Sequence, residues 1–207
     1  MEIITILVLF LPFICFSQEK AKKFGIDTTQ AIPNGIEVGI LAPKINATSI
    51  NGEFISSDIL LAEKQIVLLF YRGEWCPVCN KYLSNLSDSL KYITEKNATV
   101  IVVGPELIES AEKTANKTNA EFIIISDTSY TIQNNYDVLF HVTKGYQKKI
   151  KTFLLSDIAK NNGKEDAYLP IPATYIINQK GIITFKDFHF DYHNRASIKK
   201  IIDNLTP

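Results

Sequence analysis

The stretch Ile66-Val67-Leu68-Leu69-Phe70-Tyr71-Arg72-Gly73-Glu74-Trp75-Cys76-Pro77-Val78-Cys79 constrains the fold more than any other. It opens as an apolar, β-branched run of the kind that fills a buried strand. Gly73 breaks the run, and two cysteines follow, separated by two residues. Beyond them Leu83, Leu86, Leu90 and Ile93 recur at helical spacing, which predicts a helix starting at or just after Pro77. Proline suits a first turn because its missing N–H would find no partner there. The pair therefore falls at a helix N-terminus, whose partial positive charge stabilises a thiolate. Such a strand–turn–dithiol–helix unit carries redox chemistry.

Other cysteine roles are weaker. The third cysteine, Cys15, lies in an apolar run from Ile3 to Phe16 interrupted by Thr5 and Pro12. That run is short for a bilayer span and ends at Ser17 before Gln18-Glu19-Lys20, so residues 1–17 read as a signal peptide cut after Ser17. Its n-region carries Glu2 and no Lys or Arg; a retained anchor and a lipid anchor on Cys15 are the alternatives. Cleavage leaves Cys76 and Cys79 alone. By the loop-entropy relation, so short a ring stabilises a fold by only about 2 kcal/mol. The bond is thus one to be made and broken rather than a structural staple.

The balance of 22 Lys+Arg against 22 Asp+Glu argues against nucleic acid or an anionic membrane as the main partner. After the leader, residues 18–35 are polar and Lys-rich and read as a surface lead-in. Asn51-Gly52 between two β-prone runs predicts a hairpin, and Ser56-Ser57-Asp58 a helix cap. Strands are expected at 99–103 and 122–125, with helical segments at 106–117 and 127–136. Strands alternating with helices imply an α/β fold: a central, mostly parallel sheet with helices on both faces. A C-terminal antiparallel hairpin follows at 174–185, then a helix after Asn194. Residues 141–170 are expected as a solvated insertion, with a lid or partner-docking segment as the sharper reading.

These pieces resemble the thioredoxin fold. More closely, the chain resembles the alkyl hydroperoxide reductase/thiol-specific antioxidant family, in its peroxiredoxin-like branch carrying Trp-Cys-Pro-x-Cys. The resemblance rests on Gly39-x-x-Ala42-Pro43, Phe70-Tyr71-Arg72-Gly73-x-Trp75-Cys76-Pro77-x-Cys79, Leu169-Pro170-Ile171-Pro172-Ala173-Thr174-Tyr175 and Asp191-Tyr192-x-x-Arg195, from about residue 36 to the end. Counting from Phe70-Tyr71, it places Cys79 on the peroxide-attacking cysteine of ordinary peroxiredoxins. Cys76 then stands where they carry Thr, Arg72 where they carry Pro, and Pro172 where they carry a peroxide-polarising arginine. Pro172 instead resembles the cis-proline that faces the dithiol in thioredoxins.

The resemblance implies a thiol-dependent peroxidase acting on hydrogen peroxide or organic hydroperoxides and reopened by a thioredoxin-like or other thiol reductant. In that reading Cys79 forms a sulfenic acid and Cys76 condenses with it. The alternative is an exported thiol–disulfide oxidoreductase acting on protein cysteines, with Cys76 attacking and Cys79 resolving. A non-catalytic binding or redox-sensing module is the third. Arg72 or Arg195 could supply positive charge beside the sulfurs, a surface role being the plainer reading of each. Trp75 is expected to pack beside the pair, and Glu74 to be a solvated turn residue. His189-x-Asp191-x-His193 could complete a zinc site with the cysteines, but surface polarity is the simpler account. No cofactor or metal is called for. The expected setting is a bacterial periplasm, with no membrane contact after signal cleavage and a dimer compatible with the sequence.

Overall fold

The computed structural model describes residues 19–206. The expected signal peptide lies outside the described residues. Residues 19–23 are helical (α1). An antiparallel hairpin of β1 (Asn46–Thr48) and β2 (Phe54–Ser56) follows, turning through Gly52 at φ +84° as the Asn-Gly pair predicts. The helix α2 (Ser57–Leu61) comes next. Its N-cap Ser56 makes no side-chain cap bond; Ser57 Oγ instead accepts from Ile45 N at 3.0 Å.

The central strand is β3 (Gln65–Phe70), buried at all six positions. Burial of consecutive residues means that both faces of the sheet are covered there, which explains why the run lacks alternation. It leads into α3 (Pro77–Asp88) and α4 (Leu90–Thr94), which bury Leu83, Leu86, Leu90 and Ile93. Then come β4 (Ala98–Gly104), α5 (Ile108–Thr118), β5 (Ile123–Ser126), α6 (Thr131–Asn135), β6 (Leu139–His141), α7 (Lys144–Leu154), α8 (Ile158–Asn161) and β7 (Tyr168–Pro170). The chain closes with β8 (Ala173–Ile177), β9 (Ile183–Phe188) and α9 (Ile198–Asp203).

The five-stranded sheet runs β5-β4-β3-β8-β9. Its first three strands are parallel; β8 pairs antiparallel with β3, and β9 with β8. The C-terminal hairpin thus makes half of the sheet's pairings antiparallel. This topology gathers four chain segments at one end of the sheet. Parallel β3 and β4 both finish there, and antiparallel β8 starts there, with Leu69 opposite Thr174. The end of β9 arrives too, since Phe188 pairs with Ala173. Segments 71–76, 105–107, 171–172 and 189–195 therefore converge, at the carboxyl ends of the parallel strands where α/β folds place their sites.

Two expectations change. The lead-in is not simply surface: Ala21 and Ile26 are fully buried, and Ile26 bridges Val142. Its lysines are exposed, while Ala21 and Ile26 join the main apolar core. Nor is 141–170 simply solvated. Tyr146 and Ile150, one helical turn apart on α7, are buried, whereas Phe153 and Leu155 are 75% and 90% exposed.

Candidate active site

Cys76 is the N-cap of α3, and Pro77 its first helical residue. The Cys76 and Cys79 sulfurs form a disulfide, with Cα atoms 5.3 Å apart. Cys79 N also donates to Cys76 Sγ at 3.3 Å, so the first sulfur takes one of the free N–H groups of the helix start. Both cysteines are buried, but Cys76 lines an open cleft and Cys79 is fully enclosed.

Arg195 comes from the segment after β9. Its Nη2 donates to Cys79 Sγ and its Nη1 to Phe70 O, each at 3.4 Å. Tyr82, one turn beyond Cys79 on α3, holds this segment: its hydroxyl donates to Ala196 O at 2.9 Å, and its ring lies 5.0 Å from the Arg195 guanidinium. Burial lowers the Arg195 pKa to about 10 and pushes Tyr82 up to about 12, so both keep their protons at neutral pH. A fixed positive charge on Cys79 Sγ favours that sulfur's thiolate after reduction. The surface reading of Arg195 is therefore overturned at its guanidinium.

Arg72 is 2% exposed, which overturns its surface reading as well. Its guanidinium lies among the rings of Tyr192, Trp75 and Tyr146, at 4.1, 5.0 and 5.3 Å, and donates to Tyr146 Oη at 2.8 Å. Trp75 is buried beside the pair and lines the same cleft, as its sequence context suggests.

Glu106 has no counterpart among the sequence candidates. It is fully buried at the end of β4. Oε1 accepts from Tyr71 Oη at 2.6 Å and Thr114 Oγ1 at 3.0 Å, and Oε2 accepts from Glu74 N at 2.7 Å. The carboxylate thus fastens the loop that presents Trp75 and Cys76. Desolvation raises its pKa above 4.5 despite these hydrogen bonds. Glu74, expected to be solvated, is half-buried and pairs with Lys117.

Pro172 sits at the converging end and is buried, but it does not line the cleft over Cys76. No peptide bond among the described residues is cis, so the likeness to a thioredoxin cis-proline does not extend to it. His189 and His193 pair separately with Asp187 at 3.5 Å and Asp191 at 2.8 Å. No group of three metal-ligating side chains occurs among the described residues.

A dithiol at a helix N-terminus, beside the carboxyl end of a parallel strand and before a β-hairpin, defines a thioredoxin-fold thiol–disulfide redox protein. The chain belongs to the AhpC/TSA family, whose model matches residues 38–186. It is 26% identical over 170 residues to a protein of Helicobacter pylori named as a candidate peroxiredoxin, bcp, covering 82% of this chain and 98% of that one. Among solved structures it is similar to peroxidoxin BcpB from Mycobacterium tuberculosis, with a TM-score of 0.63 and 17% identity over 82% of this chain and 96% of that chain. It is also similar to a candidate protein disulfide isomerase from Bacteroides thetaiotaomicron, with a TM-score of 0.58 and 15% identity over 84% and 91% of the two chains. Both structural likenesses bear on the fold alone.

Proposed function

We propose that this AhpC/TSA-family chain is a thiol-dependent peroxidase in which Cys79 attacks and Cys76 resolves. The observation that carries the assignment is the Arg195 guanidinium on Cys79 Sγ. In the reduced protein the Cys79 thiolate, held by Arg195 and the α3 N-terminus, attacks one peroxide oxygen. An S–O bond forms, the O–O bond breaks, and the leaving oxygen takes a proton to become water or an alcohol. The Cys79 sulfenic acid then condenses with the Cys76 thiol, releasing water and forming the disulfide. A thioredoxin-like or other thiol reductant returns two electrons by exchange at Cys76. Residues 1–17 serve as an export signal and the protein acts in a bacterial periplasm; a mature N-terminus at Gln18 is the mass-spectrometric expectation.

The second reading, a protein thiol–disulfide oxidoreductase, draws on one feature. Cys76, not Cys79, lines the open cleft. Rapid mixing of the reduced protein with hydrogen peroxide or an organic hydroperoxide, followed through Trp75 emission, separates the two. The peroxidase reading expects oxidation orders of magnitude faster than a free thiol's, and a sulfenic acid trapped on Cys79 in Cys76→Ser. Oxidation no faster than a free thiol's, with rapid turnover of protein disulfides through Cys76, would establish the second.

A further inference from the structure

The cleft over Cys76 has a volume of about 280 Å³, near the lower end for small-molecule sites. Ile150, Phe153 and Leu154 of α7 form one wall, and Val78 and Trp75 stand on the dithiol side. Its charge is one-sided. Arg72 and Lys149 line it and no carboxylate does; His193, also in the lining, is paired with Asp191.

Arg72 is the unusual member. A guanidinium removed from water is ordinarily matched by a carboxylate. Arg72 has none among the described residues. Tyr146 Oη is its one hydrogen-bond partner there, and Nε is buried with no partner. The aromatic rings around it offset part of the desolvation but accept no N–H bond in the guanidinium plane. Arg72 therefore keeps unused donor capacity while lining the same cleft as Cys76, where the disulfide must be reopened. Lys149, exposed on α7, adds a second positive charge at the rim.

We propose that this cleft is a subsite for the carboxylate of a low-molecular-weight thiol, which Arg72 and Lys149 hold while its sulfur attacks Cys76. The thiolate bonds to Cys76 Sγ as the Cys76–Cys79 bond breaks, and the electron pair leaves on Cys79, where Arg195 Nη2 receives it. A second thiol molecule attacks the sulfur of the first, releasing the small disulfide and a reduced Cys76. Two thiols are oxidised and one protein disulfide is reduced. A slim acid can enter a cleft of this size, whereas the flat face of a protein reductant cannot reach a guanidinium only 2% exposed.

The inference rests on the dithiol cycle through its reductive half, so it is tested apart from peroxide. The full protein is oxidised beforehand with a thiol-specific oxidant and mixed with N-acetylcysteine or its neutral amide, compared at equal thiolate concentration, with Trp75 emission as the readout. The acid is expected to react about tenfold faster than the amide, the size of one charge-assisted contact, and to saturate. In Arg72→Met that ratio should fall toward unity. Lys149→Gln, on an exposed position, should lower it in part and serves if Arg72→Met fails to fold. Equal rates for acid and amide in the wild type would overturn the proposal, including where a thioredoxin-type dithiol protein reduces the disulfide rapidly. A preference that both variants keep in full would overturn it as well. Slow oxidation by peroxides, measured separately, would count against the peroxidase reading and leave this result standing.

Discussion

Arg195 Nη2 donates to Cys79 Sγ at 3.4 Å across 116 residues of sequence. The contact exists because the end of β9 returns to the end of β3, where the dithiol helix begins. It distinguishes the two sulfurs electrostatically: Cys79 has a guanidinium, Cys76 the cap position of α3 and the open cleft.

Removing that guanidinium should slow peroxide reduction by roughly ten- to a hundredfold at neutral pH, the range for a hydrogen bond to a charged group. Arg195 favours the thiolate, so its loss raises the Cys79 pKa. The rate of Arg195→Gln should therefore recover as pH rises, and its rate–pH profile should move to higher pH than that of the wild type. A uniform loss at every pH would mean that Arg195 shapes the site without tuning the sulfur.

Glu106 ties the dithiol loop to β4 and α5 through Tyr71, Glu74 and Thr114. Glu106→Gln should cost about 1–3 kcal/mol, because an amide cannot accept at both former oxygen positions. For a chain of this size that corresponds to roughly 2–4 °C in Tm for each kcal/mol. The pH dependence has a definite sign. Burial raises the folded-state pKa above 4.5, so just above pH 4.5 the folded protein holds this proton more tightly than the unfolded chain does. Glu106 therefore makes stability fall as pH rises through its folded pKa. Urea midpoints measured across that window should decline less steeply in Glu106→Gln than in the wild type.

Much of this architecture is legible in the sequence, and the parts that are not have physical reasons. The Ile66–Phe70 run, the Asn51-Gly52 turn and the Cys76-Pro77 helix start are local signals, and each appears where it is read. Arg195 is different. Its role depends on which strand ends adjoin, and a lone arginine before a helix looks like any solvated one. Glu106 is hidden for the same reason: in sequence it merely opens the polar, helix-favouring segment 106–117, and only the parallel pairing of β3 with β4 sets it under the loop from Tyr71 to Glu74. The buried face of α7 has a readable sign in the four-residue spacing of Tyr146 and Ile150, but Lys148 and Lys149 between them look like a solvated stretch.

The lead-in reaches the core at Ile26. Ile26 is fully buried, bridges Val142, and precedes Asp27, whose carboxylate meets His141 Nδ1 at 2.9 Å. Ile26→Ala should destabilise the fold by about 2–5 kcal/mol, the usual range for a core isoleucine. A loss below about 0.5 kcal/mol in chemical denaturation, as at surface sites, would restore the surface reading of residues 18–35.

Gly73 sets the last test, because it is the point where the strand becomes a redox site. Its φ of +136° is one that side-chain-bearing residues rarely adopt, and a Cβ there would stand 2.6 Å from Trp75 Nε1 and 2.9 Å from Trp75 Cδ1. The indole cannot easily yield, since it is buried and shares a cluster with Arg72. Glu106 Oε2 would be 3.2 Å away. Gly73→Ala should thus combine about 1–3 kcal/mol of backbone strain with displacement of Trp75 from the dithiol. The expected result is a folded protein of lower Tm whose Trp75 emission changes less on passing from dithiol to disulfide, and whose Cys76–Cys79 bond forms more slowly after peroxide. If Tm falls but the emission change and closure rate stay at wild-type values, the tight turn serves the fold alone, and Trp75 does not couple to the sulfurs.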